Sequence, residues 1–85
     1  MRNKVYDTFD TDSISSTRIE LFDRKKVIVE GCYGIKEYSD DIIQINLPRG
    51  SLIIVGERLE IVILTGHEIT IGGNIISLEF EGNVL

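Results

Sequence analysis

Beyond Thr17 the chain is a series of short runs in which large apolar residues alternate with polar ones. They read RIELF, KVIVEG, GIKEYS, DIIQINLPRG, SLIIVGE, RLEIVIL, HEITIGG and NIISLEFEG. Ile43, Ile45 and Leu47 share one side of such a run, with Gln44 and Asn46 on the other. Leu59, Ile61 and Ile63 form a second set, Ile69 and Ile71 a third, and Ile76, Leu78 and Phe80 a fourth. A period of two sends successive side chains to opposite faces, as half-buried antiparallel strands require. Isoleucine and valine dominate, both stiff at χ1 and both suited to a pleated surface. No stretch carries a helical period.

Turn residues punctuate the runs. Pro48-Arg49-Gly50, Gly56-Glu57-Arg58, Thr65-Gly66 and Gly72-Gly73-Asn74 each stand between alternating segments, and Gly31 and Gly34 bracket Cys32-Tyr33. Gly and Asn tolerate the positive φ of tight hairpins, so at least one of Gly56, Gly66 and Gly72 is expected there. Strands spaced by about 8–10 residues predict one all-β domain over residues 18–82, a small antiparallel β-sandwich or β-roll of about eight short strands. A loose I-x-I-x-G recurrence, in IIVG and ITIGG, makes a short β-solenoid-like stack the alternative.

Two runs break the alternation. Leu52-Ile53-Ile54-Val55 and Ile61-Val62-Ile63-Leu64 are apolar on both faces. Such strands belong at the centre of a sheet, or their second face meets another layer or another subunit. In a small two-layer domain Ile53, Val55, Val62 and Leu64 would form an exposed patch. A patch of that kind, like an open sheet edge, marks an interface with a protein partner or a second copy. The competing expectation is that the N-terminal tail folds back over it through Phe9 and Ile14.

That tail, residues 1–17, differs in composition. Asp7, Asp10 and Asp12, with several Ser and Thr, leave few apolar groups to bury, so it reads as an acidic segment ordered in part at most. It has no apolar core of the kind a secretory signal needs, and no run in the chain is long enough to span a bilayer. Of the 85 residues, 42% are apolar and 27% charged, as in an ordinary soluble domain. The formal net charge of −5 argues against nucleic acid, which demands clustered Lys and Arg. The basic run Arg24-Lys25-Lys26, flanked by Asp23 and Glu30, reads as a solvated turn. Cys32, the only cysteine, excludes an intramolecular disulfide and suits a reducing, cytoplasmic setting.

Candidate chemistry is sparse. His67 and Glu68 are adjacent, but strand neighbours point to opposite faces, and a lone His makes a poor metal site. Asp7, Asp10 and Asp12 lack the glycine and closing Glu of a calcium loop. Asp40-Asp41 reads as a solvated turn, with Asp40 stabilising the bend after Tyr38-Ser39. Cys32 has no base assigned to it, and Gly72-Gly73 lacks the remainder of a phosphate loop. No catalytic residue, cofactor or metal is therefore expected, and His67, Cys32, Asp40 and Asp41 are not expected to converge.

Five phrases in series carry a resemblance: RIELF at 18–22, VIVE at 27–30, GIKEYSDDIIQIN at 34–46, RGSLIIVGERLEI at 49–61 and EITIGGNIISLEF at 68–80. In order, length and glycine placement they resemble the YabP/YqfC family of bacterial sporulation proteins, on the YqfC side. Many members follow the equivalent of Glu30 with Asn-His, where this chain has Gly31-Cys32, and many carry a longer, more helical N-terminal region. The resemblance implies a non-enzymatic role in endospore formation in Firmicutes, in the mother cell around the developing spore. It also implies a membrane-associated sporulation protein as partner, peripheral placement at the forespore outer membrane, and no insertion into the membrane by this chain. The alternative function is a small module binding cell-wall glycan or a peptide, although the chain has no Trp and only three Tyr.

Overall fold

The computed structural model describes residues 16–82; the N-terminal segment through residue 15, with Phe9 and Ile14, and residues 83–85 lie outside the described residues. Six strands follow one another: β1 (Arg18–Phe22), β2 (Lys26–Glu30), β3 (Ile35–Tyr38), β4 (Ile42–Leu47), β5 (Gly50–Leu64) and β6 (Glu68–Glu81). They form one antiparallel sheet in the order β1-β2-β6-β5-β4-β3. The all-β, antiparallel expectation holds. The eight short strands and the two separate layers of a sandwich do not, and neither does the solenoid-like stack.

The difference lies in two long strands. β5 has 15 residues and β6 has 14, and each joins two of the runs read separately in the sequence. Gly56-Glu57-Arg58 and Gly72-Gly73-Asn74 are not reversals. They face each other across the β5–β6 ribbon, where the register slips between Val55 and Gly56 and again between Glu57 and Glu60. Both glycine clusters are therefore bulges that bend a continuous ribbon. None of Gly56, Gly66 and Gly72 has a positive φ, contrary to the hairpin expectation. At Gly56 the constraint is space: a Cβ there would run into the carbonyl oxygen of Asn74. Gly73 is the position that needs conformational freedom, at φ 134°. The true reversals on this ribbon are Pro48-Arg49, leading into β5, and the segment 65–67 between β5 and β6.

Bending lets one sheet enclose a core. Val27 and Val29 of β2, Ile69 and Ile71 of β6, and Ile43, Ile45, Leu52 and Ile54 of β4 and β5 are fully buried. They belong to a single cluster, although two strands separate β2 from β4 in the sheet. A flat sheet would expose one side of every such residue, so the two halves curl toward each other about the bend. Each hairpin turn clips onto that bend through main-chain bonds. On one side, Gly73 N–H donates to Lys25 C=O (3.1 Å) and Ile75 N–H to Arg24 C=O (2.8 Å). On the other, Gly56 N–H donates to Asp41 C=O (3.0 Å) and Leu59 N–H to Asp40 C=O (2.8 Å). The result is an approximate two-fold relation between the β1-β2 and β3-β4 hairpins.

Candidate interaction surface

Past Leu59, β5 loses its neighbour on the β4 side. Ladder pairing with β4 covers Gly50–Val55, and the Asp40 and Asp41 carbonyls take the amides of Leu59 and Gly56. Among the described residues nothing pairs with that side of 61–64. Val62 and Leu64 are 57% and 58% exposed, and Ile63 is 45% exposed. A register slip between Ile61 and Ile63 makes Val62 a bulge, and its Cγ2 lies 3.2 Å from where a Cβ on Gly72 would sit. Val62 therefore covers Gly72 on the outer face, beside Ile63, which pairs with Thr70.

The other two expected interface residues lie before the bend. Ile53 and Val55 are half-buried on the outer face of the sheet, Ile53 between Gln44 and Glu79 and Val55 between Ile42 and Ser77. Ile42 is exposed and extends this apolar surface. The four residues thus fall into two groups, one on the outer face near β4 and one on the open side of β5.

Bulges also account for the residues that the alternation misplaced. The period of two groups Leu59, Ile61 and Ile63, yet Leu59 is buried, Ile61 half-buried and Ile63 exposed, because the Val62 bulge flips the face. The alternation groups Ile76 with Leu78 and Phe80; the slip near Gly56 buries Ile75 instead and exposes Ile76. Phe80 pairs with Leu52, yet it is largely exposed at the end of that row. A polar group no motif could signal is Gln44, whose Nε2 donates to Ser51 Oγ (2.7 Å) and Glu81 Oε1 (2.9 Å) while buried.

The candidate chemical residues sit as follows. The Cys32 thiol is buried and donates to Val29 C=O (3.7 Å), and desolvation raises its pKa, the carboxylate of Glu68 adding a smaller upward push. Its meeting with His67 is through the main chain: the His67 carbonyl accepts Gly31 N–H (2.9 Å) and Cys32 N–H (3.5 Å). A buried, fully protonated thiol is a poor nucleophile. Ser39 and Asp41, rather than the Asp40 side chain, hold the β3–β4 turn; Ser39 Oγ donates to Asp41 Oδ1 (2.7 Å) and accepts Ile42 N–H (3.1 Å). Among the described residues no group of three His, Cys, Asp or Glu could hold a metal ion. An open cleft at the bend is lined by Lys25, Glu57, Arg58, Gly73 and Asn74, with opposite charges side by side. Also among the described residues, no helix is long and apolar enough to cross a membrane.

The YabP family model matches residues 13–84, which spans the whole sheet. No curated protein and no solved structure matches.

Proposed function

This chain belongs to the YabP family, whose name points to sporulation, and we propose that it is a sporulation protein that acts by binding another protein rather than by catalysis. The observation that carries the binding half of this reading is the exposure of Val62, Ile63 and Leu64 on an open strand side. An uncharged apolar run beside unpaired main-chain groups is the form in which sheets receive partners. Ile53 and Val55, with Ile42, supply a second apolar area on the outer face of the same long strand. The partner is a membrane-associated sporulation protein of the mother cell, and the chain works from the cytoplasmic side at the surface of the forespore outer membrane. These finer assignments rest on the family relationship.

The test is genetic and biochemical together. The double substitution Val62→Lys with Leu64→Lys, introduced in the spore-forming host, changes two exposed residues and leaves the core intact. Heat-resistant spore counts are expected to fall toward those of a gene deletion while the protein is made at normal level and retains its β-sheet circular dichroism. Spore counts equal to wild type, with the folded variant present, would overturn the reading.

A further inference from the structure

We infer that the open side of β5 at Ile61–Leu64 pairs with the same segment of a second copy of this chain, antiparallel and about a two-fold axis. This rests on the reading above that the surface is an interface, and it names the occupant of one part of it.

Among the described residues the sheet has four open sides, and three are guarded. β1 carries Arg18 and Glu20, β3 carries Lys36 and Glu37, and the far half of β6 carries Glu79 and Glu81. Charges on edge strands are the usual defence against strand addition, since docking would bury them. Ile61-Val62-Ile63-Leu64-Thr65-Gly66 carries none. An occupant must supply main-chain partners and be free of charge over a matching length. The identical segment meets both conditions, and isologous pairing closes both open sides at once.

The register favours self-pairing as well. An axis near Ile63 places Val62 opposite Leu64 and Ile61 opposite Thr65. Glu60 of each copy then faces Gly66 of the other, which keeps the two carboxylates at opposite ends of the seam, away from each other. The bulge at Val62 interrupts the ladder, so the seam is short and the dimer correspondingly weak. Each copy has a formal net charge of −5, so long-range repulsion opposes association and added salt strengthens it. A dimer held by contacts between the basic Arg24–Lys26 turn and the acidic Asp40-Asp41 turn would respond to salt in the opposite sense. In the paired form, the outer-face residues Ile42, Ile53 and Val55 are presented twice, free for the other protein.

Sedimentation equilibrium of the full chain over a wide concentration range, at low and high salt, tests this together with amide hydrogen exchange. The expected result is a concentration-dependent dimer strengthened by salt, with those amides of 61–64 that point away from β6 slowing as dimer forms. Ile63→Lys is expected to weaken it about tenfold or more, equivalent to about 1.4 kcal/mol, whereas Ile76→Lys on the far edge leaves it intact. Ile63→Thr, which keeps the branched shape, serves if the lysine variant fails to fold. A monomer at every concentration, a dimer that survives both Ile63 variants, or a dimer weakened by salt overturns the inference. Slow exchange, in a monomer, of the 61–64 amides that point away from β6 also overturns it, since the chain's own terminal segment would then fill the site. If wild type is monomeric yet the Val62/Leu64 variant still loses spores, self-pairing fails while the functional reading stands. A dimer of the expected kind with normal spore counts for that variant gives the converse.

Discussion

Single atoms decide much in a sheet bent this sharply. A methyl group at Gly56 would meet the Asn74 carbonyl and lie 2.9 Å from Leu59 Cδ2, whereas one at Gly66 would meet nothing within 4 Å. Gly56→Ala is therefore expected to cost about 1–3 kcal/mol in urea unfolding, the usual range for overpacking, and Gly66→Ala to stay within about 0.5 kcal/mol. Cys32 gives a pH signature. Burial raises its pKa, so the native state holds the thiol proton more tightly than the unfolded chain. That contribution is complete below the unfolded thiol pKa of about 8.5 and is lost as pH rises through the folded value. Stability of the wild type is expected to fall more steeply on the alkaline side than that of Cys32→Ala. Thiol alkylation at neutral pH should be slow in the native protein and accelerate with denaturant.

Elements here are shaped by turns and bulges more than by strand propensity. The β1–β2 connection is the three residues Asp23-Arg24-Lys25, and it begins with a β-turn whose central residues are Asp23 at φ 52° and Arg24 at φ 55°, closed by Lys25 N–H donating to Phe22 C=O (2.8 Å). Both central residues of a type I′ turn need positive φ, and Asn-Gly is its preferred pair. Arg24→Gly is expected to stabilise the protein by about 0.5–1 kcal/mol, measured by the urea midpoint, because a side chain in this region is strained. A loss of stability instead would show that the arginine side chain holds the turn against the bend. The same logic explains which elements were legible. RIELF, KVIVE, IKEY and IIQINL contain no glycine, and each is a strand close to its sequence limits. SLIIVGE with RLEIVIL, and HEITIGG with NIISLEF, looked like four strands because a glycine-rich bulge and a hairpin turn use the same residue types.

At the scale of the whole molecule, β5 and β6 run through both halves of the sheet and bind them into one core. Neither half keeps its strands if the other opens, so unfolding is expected to be a single cooperative transition, with circular dichroism and tyrosine fluorescence giving coincident curves. Two separable transitions would show that the bend acts as a hinge between independent units. The exposed apolar surface is also a property of this scale. Val62 and Leu64 were identifiable from sequence as apolar residues on a two-faced strand. That the β4 side of the strand falls open beyond Leu59 depends on where the β3–β4 turn clips onto the bend.

By itself the sequence determined that this is an all-β domain beyond residue 17, which stretches are apolar on both faces, and which family the chain resembles. These follow from local periodicity, side-chain shape and phrase order, all of which survive without knowledge of contacts. Only the tertiary structure decided that the strands number six in one curled sheet, that the glycine clusters are bulges, and that Ile75 rather than Ile76 is buried. Strand count and face depend on whether a glycine reverses the chain or merely bends it, and that choice is set by the strand lying opposite. Across β5, at Asn74, that opposing strand comes within contact distance of Gly56, and the chain bends there without reversing.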